Sequence, residues 1–125
     1  MNIPEGLLYT NDHEWVSVEG EVATVGITDF AQGELGDIVF IEFPEPGATF
    51  KEGEAFGTIE AVKTVADLFL PLSGKITEIN AVLEEVPQKV NDDPYGEGWI
   101  VRASISKPDE LEQLLDAAAY QGITT

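Results

Sequence analysis

The sequence predicts a mainly β fold, arranged as a flattened barrel or a sandwich of two antiparallel sheets. About seven short segments rich in β-branched and aromatic residues follow one another along the chain. Turns that contain glycine or proline separate these segments, as hairpin connections require. Two helices are predicted, a short one near 29–35 and a C-terminal one near 108–120. At 125 residues, the chain is long enough for one domain with its own core.

The first predicted element is a hairpin. Trp15–Val18 and Val22–Ile27 are the two strands, and Glu19 with Gly20 supplies the tight turn between them. Apolar residues alternate along both strands, so that one face of the hairpin is expected to be buried. The residues expected on that face are Val16, Val18, Ala23, Val25 and Ile27.

A short helix and a buried strand follow the hairpin. Asp29 is placed to cap the helix, Gln32 to close a capping box, and Gly36 lies just past its end. The segment Ile38–Phe43 is apolar at nearly every position. Such a continuous apolar run predicts a strand that is buried on both faces.

A second hairpin is predicted with Lys63 at or near its tip. No glycine or proline interrupts the stretch 58–70, and apolar residues with period-two spacing flank the lysine on both sides. Hairpin tips normally take Asn-Gly or Asp-Gly, which Val62–Val65 does not provide. Most exposed lysines serve only solubility, but this chain has just six basic residues. A turn that disregards local preference is often maintained for function, which makes Lys63 a candidate attachment site.

The C-terminal part is predicted to contain a strand and a helix. Residues 80–87 are expected to form a single helical turn or a loop, and Trp99–Ile105 a strand with alternate residues in the core. Ser106 and the early Pro108 predict the start of the helix, and Gly122 its end. The apolar stripe expected to pack against the core consists of Leu111, Leu114, Leu115 and Ala118.

Composition excludes several classes of function. The net charge of −18 argues against binding to nucleic acid or to anionic membranes, and it fits docking onto basic partner surfaces. Since the chain has no cysteine, any thiol chemistry must come from a cofactor. No signal peptide and no apolar run of membrane length is found, so we expect the cytoplasm, or an organelle matrix if a transit peptide was removed.

Two other groups of polar residues suggest no chemistry of their own. His13, the only histidine, has no cysteine or serine nucleophile motif to serve, so we expect a structural or partner-contact role. Oxygen ligands cluster at 91–97, but their spacing is not that of an EF-hand. No metal site is therefore predicted, and the cluster is expected to hydrogen-bond its own loop. It comprises Asn91, Asp92, Asp93 and Glu97.

Seven stretches of the chain together resemble the glycine cleavage system H protein, over roughly residues 7 to 120. They are Tyr9–Val16, Val25–Gln32, Leu35–Phe40, Phe43–Gly47, Glu60–Asp67, Pro71–Ile76 and Asn91–Trp99. Simpler lipoyl or biotinyl carrier domains lack the first stretch, with its His-Glu-Trp, and the last. One position departs from the family, which usually has serine where this chain has Ala61. Lipoylation is still expected, and the effect of this departure on recognition by the lipoate-attaching enzyme stays open at this point.

The resemblance implies a single lipoyl carrier domain over 1–125, with a lipoyl/biotinyl-carrier-like fold, and not an enzyme. Lys63 would bear lipoate and shuttle the aminomethyl group of glycine. The group would pass from the pyridoxal-phosphate glycine decarboxylase (P protein) to the tetrahydrofolate-dependent aminomethyltransferase (T protein). Dihydrolipoyl dehydrogenase (L protein) would reoxidise the carrier, which we expect to be a monomer. Glu14 and Asp67 match acidic family positions near the cleft that receives the arm.

Two alternatives remain open from the residues. One is an H-like lipoyl donor or carrier for another pathway, and the other is a structural binding module in which Lys63 is never modified. Biotin is a lesser rival to lipoate, because biotinyl hairpins typically place methionine beside the lysine. Here the neighbours are Val62 and Thr64.

Overall fold

The structure is a computed structural model, and it describes residues 2–124. The strands are β1 (Leu8–Tyr9), β2 (Glu14–Glu19), β3 (Val22–Ile27), β4 (Ile38–Glu42), β5 (Thr49–Phe50), β6 (Ala55–Ala61), β7 (Val65–Phe69), β8 (Gly74–Ile79) and β9 (Val101–Ile105). The helices are α1 (Asp29–Leu35), α2 (Val82–Glu85), α3 (Lys89–Asp92), a 3₁₀ helix (Pro108–Gln113) and α4 (Ala117–Thr124). None of these helices is long and apolar enough to cross a membrane.

The strands form two antiparallel sheets, which confirms the predicted sandwich. One sheet has the order β1-β2-β3-β9-β8-β5 and the other the order β4-β6-β7. The main core lies between them, with Ile38, Ile59, Ile76 and Val101 all essentially inaccessible to solvent. The sheets do not close into a barrel, so β4 and β7 are the edges of the smaller sheet.

The predicted first hairpin is confirmed, but one residue that was predicted to lie on its buried face is exposed. β2 and β3 pair over their whole length, and Gly20 in the turn has a φ of 63°. Val16 is fully buried as predicted, but Val18 is 40% exposed. Val18 lies near the turn, at the end of β2, where the hairpin extends past the core. Trp15 is buried on the opposite face of β2, which the alternation rule did not predict.

Helix α1 lies where the sequence predicts, but its cap is different. Thr28, not Asp29, is the N-cap, and its Oγ1 accepts a hydrogen bond from the Ala31 N–H at 3.2 Å. The predicted capping box does not form, because the Gln32 side chain donates to Asp29 Oδ1 at 2.8 Å instead. Gly36 ends the helix as predicted, with a φ of 81°.

The prediction that the strand after α1 is buried on both faces is wrong. Within β4, Val39 is 45% and Phe40 53% exposed. The register with β6 shifts between Ile38 and Phe40, as at a β-bulge. A bulge at an edge strand turns consecutive side chains to the same side, so both apolar residues face solvent here.

The prediction of a single C-terminal helix over 108–120 is also wrong. The chain forms the 3₁₀ helix, then an extended link, then α4, which continues past Gly122. The link is extended because Leu115 pairs with Tyr9 through two backbone hydrogen bonds of 2.8 Å. No side-chain capping box opens the 3₁₀ helix. Leu111 and Leu114 pack against a buried cluster as expected, but Ala118 is exposed.

The segment between β8 and β9 is more helical than the sequence suggested. Of the helical turn and the loop that were both expected for 80–87, the helical turn forms, as α2. α3 follows it and was not predicted. β9 begins at Val101 and not at Trp99, while Ile100 just before it is fully buried.

Candidate functional site

Lys63 lies at the tip of a β-hairpin, as the sequence predicts. β6 and β7 pair from Ala55–Phe69 up to Glu60–Val65, and the turn closes with a 2.7 Å hydrogen bond from the Ala61 N–H to the Thr64 carbonyl. Lys63 is exposed, and its neighbour Val62 is 76% exposed. A modifying enzyme can therefore reach the lysine from solvent.

The connection between α1 and β4 holds the tip in place. The Val62 N–H donates a 3.0 Å hydrogen bond to the carbonyl of Asp37. The stem of Lys63 crosses Gly36, where a Cβ would lie 3.4 Å from the lysine Cε. A tertiary contact thus supports this turn, which explains how it forms without the residues that hairpin turns prefer.

A cleft lies between α1 and β7, and it starts close to Lys63. Its volume is about 180 Å³. Leu35, at the C-terminal end of α1, forms part of its wall and directly precedes Gly36. The lining is mainly apolar and consists of Asp12, His13, Glu14, Ile27, Phe30, Ala31, Glu34, Leu35, Ile59, Ala66, Asp67 and Leu68. Such a cleft can accept a narrow aliphatic chain.

Glu14 is a buried acid in the wall of this cleft. It is only 4% exposed, and its Oε2 accepts a hydrogen bond from the Phe69 N–H at 2.9 Å. Burial is the main cause that raises the pKa of Glu14 to about 8; the nearby Asp12 also acts to raise it, while hydrogen bonds from Phe69 and Thr10 act to lower it. Glu14 also lines a second cavity of about 260 Å³ on its other side.

Asp67 lines the same cleft from β7. It pairs with Thr58 across the hairpin and is exposed. The structure therefore brings both acids identified in the sequence to one cleft, but in different surroundings. Glu14 is desolvated, whereas Asp67 remains in contact with water.

The histidine has a structural role at the cleft. His13 has a φ of 66°, and its ring lies 4.6 Å from that of Phe30. Its Nδ1 is hydrogen-bonded to the Tyr120 hydroxyl at 2.8 Å, and the same hydroxyl lies 2.6 Å from Thr28 Oγ1. Sequence reasoning missed Tyr120, since 107 residues separate it from His13 and no local pattern links them.

The polar residues at 91–97 meet the prediction of hydrogen bonds within their own loop only in part, since Asp93 and Glu97 form one there and Asn91 does not. Asp93 Oδ2 accepts from the Glu97 N–H at 2.9 Å, and Lys89 forms an ion pair with Glu97 at 2.8 Å. Asn91 reaches across to α1 and β4. No group of three or more potential metal ligands was found within residues 2–124.

Two antiparallel sheets with an exposed lysine at a hairpin tip define the class of carrier domains that hold a cofactor on a lysine arm. The model of the family "Glycine cleavage H-protein" matches residues 7–125. The chain belongs to the glycine cleavage H-protein family. Its members are carriers that hold lipoate on a lysine.

Individual relatives agree with this assignment. The glycine cleavage system H protein of Bacteroides thetaiotaomicron is 57% identical over 123 residues, which is 98% of each chain. That of Symbiobacterium thermophilum is 54% identical over 123 residues, or 98% of this chain and 96% of the relative. The crystal structure of the Mycobacterium marinum H protein superposes with a TM-score of 0.85 at 39% identity, covering 96% of this chain and 97% of that one.

Proposed function

We propose that Lys63 is the residue that carries lipoate, and that residues 1–125 act as one carrier domain. The carrier takes the aminomethyl group of glycine from the pyridoxal-phosphate decarboxylase to the tetrahydrofolate-dependent aminomethyltransferase. Dihydrolipoyl dehydrogenase then returns it to the oxidised form. The observation that carries the proposal is the exposed Lys63 beside an apolar cleft whose lining includes four acidic residues, Glu14 and Asp67 among them.

The residues present fit a lipoyl group. Ile27, Phe30 and Leu35 give the cleft an apolar wall suited to an alkyl chain and a dithiolane ring. When attached, the group supplies a strained disulfide, which exchanges readily and which a chain without cysteine cannot supply itself. Lys63 provides the amide attachment and loses its positive charge in doing so.

The tip also sets the reach of the arm. Because Lys63 lies beyond the ends of β6 and β7, its side chain can extend from the protein surface towards a docked enzyme. Once the carrier is docked, a tethered group is present at high effective concentration in the partner's active site. The net charge of −18 supports docking onto basic surfaces of the partner enzymes.

Glu14 and Asp67 are proposed to stabilise the cargo while the arm lies in the cleft. Both residues lie in the wall of the cleft, so a protonated amine that enters it would come close to two side chains able to form charge-assisted hydrogen bonds. The apolar wall excludes water, which protects a group that hydrolyses easily. Because burial holds the pKa of Glu14 near 8, entry of a cation favours loss of its proton.

The catalytic steps are proposed to belong to the partner enzymes and not to this chain. The family is one of carriers, and the only histidine here is hydrogen-bonded to Tyr120 at 2.8 Å in a structural network. Location in the cytoplasm and the monomeric state stay predictions from the sequence.

Intact mass spectrometry with peptide mapping tests the proposal. The protein is incubated with lipoate and a lipoate-protein ligase, together with Lys63→Arg and the control Lys75→Arg, which changes another exposed lysine. We expect one lipoyl group on wild type and on Lys75→Arg, and none on Lys63→Arg. An unmodified wild type, with the same ligase active on another carrier, would overturn the assignment and favour a module that is never lipoylated.

A further inference from the structure

We propose that Asn91 is a positioning residue for the carrier lysine, acting through the α1–β4 connection on which the hairpin tip rests. The inference builds on the proposed role of Lys63. It assigns a task to a residue that lies outside both the hairpin and the cleft lining.

Asn91 uses its whole amide group to hold one short connection. Its Nδ2 donates to the Gly36 carbonyl at 2.9 Å and to Gln32 Oε1 at 3.0 Å. Its Oδ1 accepts from the Ile38 N–H at 2.9 Å. Both donor hydrogens and the acceptor oxygen are thus engaged, in three of the four hydrogen bonds that a side-chain amide can make.

The three contacts enclose the part of the chain that touches the tip. Gly36 and Ile38 are the two residues on either side of Asp37, whose carbonyl accepts the Val62 N–H at 3.0 Å. Gly36 is also the residue under the Lys63 stem. A short chain of direct contacts therefore runs from Asn91 through residues 36–38 to Val62 and Lys63.

The turn itself gives the tip little support. Val62–Val65 lacks the glycine or asparagine that stabilises a tight hairpin turn, and β4 and β7 are the edges of a sheet of only three strands. The orientation of Lys63 therefore depends on the surface beneath it. Asn91 fixes that surface from α3, which belongs to a separate segment of the chain.

The partners of Asn91 include both hydrogen-bond acceptors and a hydrogen-bond donor, and an amide side chain can pair with both kinds. Gly36 O and Gln32 Oε1 are acceptors, whereas the Ile38 N–H is a donor. An aspartate has the same shape but no donor, so its carboxylate would face two acceptor oxygens. Asn91→Asp therefore releases the Gly36 side of the connection while leaving the volume of the side chain unchanged.

Amide hydrogen exchange on the unmodified protein is the test. In Asn91→Asp we expect the Val62 amide to exchange about tenfold faster than in wild type, because its acceptor is no longer fixed. The core amide of Ala103, in β9, should keep its wild-type rate. Asn91→Ser, whose side chain is too short to span the three partners, should have the same effect and serves if the aspartate variant folds poorly.

Asn80→Asp is the matched control. Asn80 is a buried asparagine, whereas Asn91 is half-buried. The Asn80 Nδ2 also donates two hydrogen bonds, to the carbonyls of Glu97 and Trp99 at 2.8 and 2.7 Å, but none to the tip connection. This variant should leave the Val62 exchange rate unchanged. Unchanged Val62 exchange in both Asn91 variants would overturn the inference, as would equal acceleration at Val62 and Ala103, which would indicate general loss of stability.

The lipoylation rate gives a second readout. A loosened tip should slow ligase modification of Lys63 several-fold in Asn91→Asp and not in Asn80→Asp. If the wild type is not lipoylated, the proposed function fails while the exchange result still decides the role of Asn91. If the wild type is lipoylated and Asn91→Asp reacts at the same rate, the positioning role is overturned.

Discussion

Glu14 and Phe69 link the two sheets of the fold through the hydrogen bond from the Phe69 N–H to Glu14 Oε2, at 2.9 Å. Glu14 begins β2 in the six-stranded sheet, and Phe69 ends β7 in the three-stranded sheet. Since β7 is an edge strand, its free backbone groups need partners outside the sheet. One carboxyl group therefore supports the Lys63 hairpin and also forms part of the cleft wall.

Glu14→Gln should change the pH dependence of stability. The pKa of Glu14 is raised from an ordinary 4.5 to about 8 in the folded protein, so the folded state holds a proton that the unfolded state has lost. Wild type therefore loses stability as pH rises from the lower value through the higher one, whereas the glutamine does not titrate. We expect the stability of the variant relative to wild type to rise by on the order of 3 kcal/mol across this window.

Urea unfolding of both proteins at pH 4, 6 and 9 measures this difference. Glutamine keeps a carbonyl oxygen for the Phe69 N–H, so the comparison isolates the charge. A difference in unfolding free energy that is the same at all three pH values would contradict the raised pKa.

Tyr120→Phe and Tyr120→Ala should separate two contributions of the C-terminal helix. The phenylalanine loses the hydroxyl that contacts His13 and Thr28 but keeps the stacking on Tyr9, where the ring centroids are 4.7 Å apart. We expect it to lower the unfolding free energy by about 1–2 kcal/mol. The alanine also empties a fully buried site and should cost about 3–5 kcal/mol. Equal losses by thermal unfolding would show that the hydroxyl carries the whole effect.

Ala61→Ser should affect stability more than lipoylation. Ala61 is 5% exposed and packs in the main core, so an attaching enzyme docked on the tip does not reach it. We expect the lipoylation rate to change by less than about twofold, while the buried hydroxyl lowers stability by about 1 kcal/mol. Val62→Asp, at a position 76% exposed beside Lys63, should slow the same reaction several-fold. A large rate gain in Ala61→Ser would mean that serine is recognised directly.

Replacement by alanine of a glycine within α1 and of the glycine just after it should have opposite effects on the free energy of unfolding. Gly33 lies within α1, and a Cβ there would meet nothing within 4 Å, so Gly33→Ala should stabilise by about 0.5–1 kcal/mol. Gly36 has a φ of 81° and lies under the Lys63 stem, so Gly36→Ala should destabilise by about 1–3 kcal/mol. Thermal unfolding of the pair checks this, and a stabilised Gly36→Ala would contradict the strained backbone.

Local sequence patterns predicted the strands and the Lys63 hairpin well, since alternation and turn residues act over a few neighbours. These predictions failed where contacts with a segment distant in sequence, or the position of a strand in its sheet, override the local preference. The predicted helix over 108–120 is interrupted because Leu115 pairs with Tyr9, and Phe40 is exposed because β4 is a bulged edge strand. The candidate acids were found only by resemblance, because one carboxylate among 24 acidic residues carries no local signal.

The amino-acid sequence alone predicts the mainly β fold, the short helix near 29–35 and the hairpin that presents Lys63, but it leaves a flattened barrel and a sandwich both open. Period-two apolar spacing and turn residues are sufficient for these, because each depends on residues close together in the chain. Tertiary packing leaves the two sheets open and buries Glu14 in the cleft that Asp67 also lines. It also brings Tyr120 to His13, and Asn91 to the connection beneath the hairpin tip. Such contacts join segments far apart in sequence, and their energies depend on which groups packing removes from water.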